Sequence, residues 1–150
     1  MEINQLTELS DQNYWISKIK EADWSAAKYL GQLLETNEFY KLCGRSSKVF
    51  LLIENQDLIS FCTYAEKDDI PDTDLTPWIG FVYTFTQFRG KRRIGKLIEH
   101  IYLIAKKDGH KNLYISTDQK GLYENFGFTY YCTLKDRQGE DELVYKRSLE

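Results

Sequence analysis

A mixed α+β sheet flanked by helices on both faces is the fold this sequence predicts, and three observations predict it. Apolar residues recur at three- and four-residue spacing in two long stretches, 23–34 and 94–105, as amphipathic helices require. Short runs rich in Val, Ile, Phe and Tyr, set off by turn-forming residues, have the composition and length of strands. Their order is two helices, three strands, helix, strand, helix, two strands, a sheet with helices packed on its faces. A chain of 150 residues, 42% hydrophobic and 15% aromatic, can bury one full core, so residues 1–150 are expected to form a single domain.

Each element has a local reason. Met1 to Gln12 is polar and contributes nothing to this order. Asp11 or Asn13 can cap a short helix carrying Tyr14, Trp15, Ile16 and Ile19, and a second helix starts near Asp23 with Ala26, Ala27, Leu30, Leu33 and Leu34 as its buried stripe. Gly44-Arg45-Ser46-Ser47 is a turn. Val49–Ile53 and Leu58–Tyr64 are strands joined by the Glu54-Asn55-Gln56-Asp57 hairpin turn. Lys67 to Pro77 is an acidic loop holding Asp68, Asp69, Asp72 and Asp74, and Trp78–Thr84 is the next strand. The long helix buries Ile94, Leu97, Ile98, Ile101, Ile104 and Ala105 and ends at Gly109. Leu113–Ser116 is a short strand and Lys120–Asn125 a short helix. Phe128–Leu134 and Leu143–Lys146 close the sheet around the turn Asp136-Arg137-Gln138-Gly139.

Composition excludes several function classes. A net charge of −3 argues against a general nucleic-acid binder. No apolar run approaches the ~20 residues that span a bilayer, and the N-terminus has no apolar signal core, so no membrane partner is expected. Cys43, Cys62 and Cys132 are odd in number, far apart and without a CxxC pair, which fits a reducing cytoplasm. With only His100 and His110, and no cysteine near either in sequence, no metal site is expected.

Against that acidic background, Arg89-Gly90-Lys91-Arg92-Arg93-Ile94-Gly95-Lys96 stands out. Cations are disfavoured in a first helical turn, because the macrodipole already makes that end positive. Their concentration there points to an anion. Free backbone N–H groups, glycines that permit close approach, and lysine and arginine heads together make a phosphate cradle. The spacing from Gly90 to Gly95-Lys96 also matches a nucleotide-binding P-loop, but that motif continues with Ser or Thr for Mg²⁺, and here Leu97 follows. Lys91-Arg92-Arg93 is too short and unspecific to indicate RNA or nuclear import.

A second segment, Leu122-Tyr123-Glu124-Asn125-Phe126-Gly127-Phe128, follows a predicted strand and opens another. With it the chain resembles the GNAT family of N-acetyltransferases, whose common signature there is Leu-Tyr-Glu-x-x-Gly-Phe. Val82-Tyr83-Thr84 followed by Gln87-Phe88-Arg89-Gly90-Lys91 is similar to the family's acetyl-CoA-binding segment, often written Pro-Glu-Tyr-Arg-Gly-Lys in place of Thr86–Lys91. The two segments come in the family's order, about thirty residues apart. The resemblance covers Trp78 to Phe128. One departure stands: aligned on Arg89, the chain has Arg92 and Ile94 where the family's Arg/Gln-x-x-Gly-x-Gly/Ala pattern has glycine or alanine.

The resemblance implies a GNAT-like (acyl-CoA N-acyltransferase) fold and an acetyl-CoA-dependent N-acetyltransferase acting by direct ternary-complex transfer to a primary amine, with no metal. It implies that the pantetheine arm pairs along the strand at Val82, Tyr83 and Thr84, and that an N–H near Val82 polarises the thioester carbonyl and holds the oxyanion. Arg89, Gly90, Lys91, Arg92, Arg93, Ile94, Gly95 and Lys96 would wrap the pyrophosphate, with the extra arginines available to the ribose 3′-phosphate. Ser116 lies near a position where relatives carry a cofactor-facing Asn. Tyr123 would be the general acid for the departing thiolate. Glu66, Asp72 and Asp74 are the candidate general bases, and the acidic loop could instead attract a cationic substrate. Small-molecule and protein amines both remain open as acceptors, and a homodimer is compatible, since relatives often dimerise. The alternative is a non-catalytic acyl-CoA-binding or regulatory module on the same fold.

Overall fold

Helix α1 (Gln12–Lys20) and helix α2 (Ser25–Glu35) form where the first quarter of the chain reads helical, in a computed structural model that describes residues 1–150. Asp11 stands at the N-cap of α1, but its carboxylate accepts from Trp15 Nε1 (3.0 Å) rather than from a helix N–H. Trp24, not Asp23, precedes α2, which buries Ala27, Leu30, Leu33 and Leu34. A third helix that periodicity misses, α3 (Phe39–Cys43), is only five residues long and is fixed by burying Phe39 and Cys43.

The sheet has seven strands, one more than the sequence predicts. They are β1 (Glu2–Gln5), β2 (Lys48–Glu54), β3 (Asp57–Ala65), β4 (Trp78–Thr84), β5 (Asn112–Thr117), β6 (Thr129–Lys135) and β7 (Asp141–Ser148). Their spatial order is β1-β2-β3-β4-β5-β7-β6, antiparallel throughout except for β4 and β5. The extra strand, β1, lies in the polar N-terminal segment and pairs along β2 with Ile3 opposite Leu52. The β2–β3 hairpin turns through Asn55 and Gln56, both at positive φ (51° and 67°), as a two-residue loop with primed geometry requires.

Both faces of the sheet are covered, so β3 is buried from Leu58 to Ala65 without alternation. On one face α1 and α2 bring Ile19, Ala27 and Leu30 against Leu51, Phe61 and Tyr83. On the other, helix α4 (Ile94–Lys107) sets Leu97, Ile98, Ile101 and Ala105 against Phe50, Ile59, Ile79, Leu113 and Ile115. Leu97, Ile98 and Ile101 are fully buried, each contributing roughly 1.5–3 kcal/mol. That contact anchors α4, and therefore the loop before it, to β4. No helix is long and apolar enough to cross a membrane.

Candidate active site

The parallel ladder between β4 and β5 is two pairs long, Trp78 with Tyr114 and Ile79 with Ile115. Beyond Ile79 the strands part. β4 continues to Thr84 with no partner on that side, while β5 stays paired to β7 as far as Thr117. A bulge lies where the strands part: Gly80 and Tyr83 of β4 pair with Thr63 and Phe61, leaving Phe81 and Val82 opposite Cys62 alone. Phe81 takes φ +48°, a left-handed conformation that costs a non-glycine residue roughly 1 kcal/mol. The bulge sends Val82 toward the α4 face and Phe81 and Tyr83 toward the α1–α2 face. Ser60 Oγ donates to the Tyr83 carbonyl (2.6 Å) and meets Thr84 Oγ1 (3.0 Å), so the end of β4 is fixed from the β3 side.

The basic cluster closes the open end of this gap. After a short 3₁₀ turn (Thr86–Phe88) the chain takes φ +89° at Gly90 and +52° at Arg92, then enters α4 with no side-chain cap. Arg92, one of the residues standing where the family has glycine or alanine, thus adopts a glycine-like backbone. None of the five consecutive amides from Gly90 to Ile94 donates to a protein acceptor. Nor does any carboxylate pair with Arg89, Lys91, Arg92, Arg93 or Lys96. Arg89 Nε donates to the Thr84 carbonyl (2.8 Å) and its guanidinium lies over Tyr83 (5.2 Å); Arg93 lies over Phe88 (5.5 Å). Lys91, Arg92 and Lys96 project into solvent. Gly95 serves packing rather than loop freedom: a Cβ there would stand 3.0 Å from Phe126 Cε1. Arg92, Gly95 and Lys96 with Asn125, Phe126 and Gly127 line a cleft of about 580 Å³ beside the loop.

Tyr123 opens a 3₁₀ turn (Tyr123–Phe126), where the sequence reads a longer helix from Lys120. Gly127 ends the turn at φ +86°. The Tyr123 ring is 7% exposed, packed on the α4 face with its edge toward Phe128. Its hydroxyl has no protein partner, yet no side-chain polar atom in the structure is both sealed from solvent and unpaired, so that hydroxyl keeps an opening. Burial first, then Cys62, Asp68 and Asp118, hold the phenol well above its ordinary range, and it is protonated at neutral pH.

On the opposite face lies a residue that sequence reasoning named only as part of the acidic loop. Asp68 folds back over β4, and its Oδ2 accepts from Ser116 Oγ (2.9 Å) on β5. Gly80 makes room for it: a Cβ there would sit 2.6 Å from Asp68 Oδ1 and 3.0 Å from Thr63 Oγ1. Burial pushes the Asp68 carboxyl up to about 6, against the Ser116 hydrogen bond. The three acids chosen from sequence lie elsewhere. Glu66 turns to the Gly44–Ser47 turn, where the Ser46 amide (3.0 Å) and hydroxyl (2.9 Å) hold its carboxyl below the usual range; Asp72 and Asp74 are exposed. The Glu66 carboxylate is thus committed to hydrogen bonds within that turn. No signal in the sequence separates Asp68 from the other aspartates of its loop; Gly80 and Ser116, twelve and forty-eight residues away, make the difference. Cys62, remote from Tyr123 in sequence, shares its apolar cluster, and full burial drives its thiol upward and keeps it protonated.

A gap between diverging strands therefore has a neutral phenol on one face and a carboxylate on the other, and unpaired amides and cations at its mouth. Solved structures share this framework. An aminoglycoside 6'-acetyltransferase type Ii superposes with a TM-score of 0.75 at 12% identity, covering 100% of this chain and 98% of its own. A GNAT family acetyltransferase from Elizabethkingia anophelis, with acetyl-CoA bound, gives 0.68 at 18% identity over 98% and 97% of the two chains. An acetyl transferase from Salmonella typhimurium that modifies the N-terminal serine of ribosomal protein L7/L12 gives 0.70 at 12% identity over 99% and 94%. No functionally curated protein matches the sequence. The sequence profile described as "Acetyltransferase (GNAT) family" matches residues 15–128, from α1 to the residue after Gly127, and takes in β4, the cationic loop and Tyr123. With both the framework and the sequence in agreement, the chain belongs to the GNAT acetyltransferase family.

Proposed function

We propose that residues 1–150 act as one acetyl-CoA-dependent N-acetyltransferase domain that passes the acetyl group directly to a primary amine. The observation that carries this reading is the row of unpaired amides from Gly90 to Ile94 beside five cations that meet no carboxylate, at the mouth of the β4–β5 gap. Such a nest fits a diphosphate. Acetyl-CoA supplies the activated acyl carbon, so the protein need only orient the partners and move protons. Val82 and Thr84 offer backbone amides on the side of β4 that lacks a strand partner to the arm of the bound thioester, and an N–H at the bulge polarises its carbonyl. Asp68 accepts the proton that the incoming ammonium must lose. Tyr123 Oη, on the other face, donates one to the departing sulfur. The protonated state of Cys62 favours direct transfer over an acetylated cysteine, since a thiol held neutral is a poor nucleophile.

The rival reading, a non-catalytic acyl-CoA-binding module, rests on Arg92 and Ile94 at glycine positions. The left-handed backbone of Arg92 weakens that objection, because the loop follows a glycine-like path there without glycine. The test is calorimetric. Lys91 and Lys96 are exposed and form no ion pair within the protein, so their joint replacement by Ala leaves the fold's melting temperature unchanged and weakens acetyl-CoA binding at least tenfold at low salt, less at high salt. Equal affinity in the variant would refute the diphosphate assignment. Release of free CoA with an amine present separates an enzyme from a binding module.

A further inference from the structure

A cavity of about 690 Å³ opens at the C-terminal end of α4, away from the β4–β5 gap. It exists because the helix stops at Lys107 and the chain turns away at Gly109 (φ +87°), leaving the ends of β2 and β3 uncovered on that face. Lys48 and Tyr64, paired across those two strands, form part of its floor. The turn around Ser46 and the Thr76-Pro77 segment before β4 wall it in. At fourteen residues α4 spans about 21 Å, and the cationic loop lies at its other end. No residue of that loop or of the gap lines the cavity.

The lining is mostly polar, and its charges are unequally committed. Two carboxylates face the cavity, and both are engaged within the protein. Glu66 accepts the Ser46 amide and hydroxyl, both through Oε2. Asp108 accepts the Tyr64 hydroxyl through Oδ2 (3.0 Å). Burial and that bond hold the Tyr64 phenol above its ordinary range, so the donor keeps its proton. Arg45, Lys48 and His110 line the same space and meet no carboxylate. The positive half of the lining is therefore the half without partners. The acids contribute something different: Glu66 Oε1 and Asp108 Oδ1 stay open to accept from hydroxyl groups. Apart from two tyrosine rings, Ala65 and Pro77 are the apolar surface, too little to hold an apolar ligand.

We propose that this cavity is a second ligand site, for a small hydroxylated anion of the sugar-phosphate or sugar-acid kind. Arg45, Lys48 and His110 take its anionic group, and Glu66 and Asp108 accept from its hydroxyls. The site stands independently of the transferase reading, since it shares no residue with the gap. Its size is in the range of about 300–1,000 Å³ that holds small ligands. A bare inorganic anion would leave the open carboxylate oxygens unused, and a neutral sugar would leave the cations unpaired.

Calorimetric titration of the full chain with glucose 6-phosphate, gluconate, glucose and inorganic phosphate tests this. At least one of the two hydroxylated anions should bind one per chain, and about tenfold or more tightly than glucose or inorganic phosphate at low ionic strength. Which of the two binds better tells a phosphate ligand from a carboxylate one. The joint substitution Arg45→Ala and Lys48→Ala should weaken that binding about tenfold with the melting temperature unchanged, because neither side chain has an ion-pair partner to lose. Replacing Lys91 and Lys96 by Ala should leave it intact. Failure of both hydroxylated anions to bind, glucose or inorganic phosphate binding as tightly, or full affinity in the Arg45 and Lys48 variant overturns the proposal. Binding lost only in the Lys91 and Lys96 variant would place the anion at the cationic loop and overturn it equally.

Discussion

Asp68→Asn lowers turnover at least a hundredfold at pH 7.5 and raises the melting temperature. The loss follows from the chemistry: an amide cannot take a proton from an ammonium, and general base catalysis contributes typically 10²–10⁴-fold. The gain follows from linkage. The Asp68 carboxyl sits at about 6 in the folded chain against an ordinary 3.8. A raised folded-state pKa stabilises the protein only while the group is protonated, fully so below 3.8, and that contribution disappears as pH rises through 6. At pH 7.5 the ionised carboxylate therefore opposes folding, by about 2–3 kcal/mol for a shift of that size. Asparagine removes the charge and still accepts from Ser116 Oγ. The wild-type kcat/KM should rise with pH to a plateau above about 6, and the variant should lose that limb. Calorimetric melting and a pH–rate profile read the two effects separately. Unaltered turnover would assign the proton to another group, and a lower melting temperature would make the carboxylate a structural one.

Tyr123→Phe cuts turnover at least tenfold with little change in acetyl-CoA affinity or stability. Removing a buried hydroxyl is usually destabilising because its partner is stranded, but this one has no partner to strand. The ring keeps its place against Phe128 and the α4 face. What disappears is the proton for the leaving sulfur. The deficit should consequently shrink with an acetyl thioester of a more acidic thiol, whose anion departs without help. A merely structural tyrosine would show no such dependence on the leaving group. Single-turnover rates with both thioesters decide the matter.

The cofactor half of the site is legible in the sequence because it is contiguous. Arg89 to Lys96 occupy one turn and one helix start, and Tyr123 sits inside a run of seven residues that folds as a unit. The strands and the α4 stripe are legible for a related reason: periodic burial leaves a local pattern. The acceptor half is not contiguous. Asp68 acquires its environment from Gly80 on one strand and Ser116 on another, and nothing within the Lys67–Pro77 loop marks it out. β1 carries a single aliphatic residue, Ile3, in four positions, so its conformation comes from pairing with β2 rather than from its own propensity. Helix α3 is shorter than two turns, below the length at which spacing can be recognised.

The two-rung seam between β4 and β5 also bears on how the molecule holds together. Strands β1 to β4 and strands β5, β7 and β6 form two blocks, each well laddered within itself, joined across the seam by that short ladder, by the apolar cluster beneath α4 and by the Ser116–Asp68 and Arg137–Asp69 contacts. Backbone filling the cleft would add rungs that the polypeptide lacks. Occupancy should thus couple two units of semi-independent cooperativity into one, so that the rigidity of the whole is set by what is bound rather than by the chain alone.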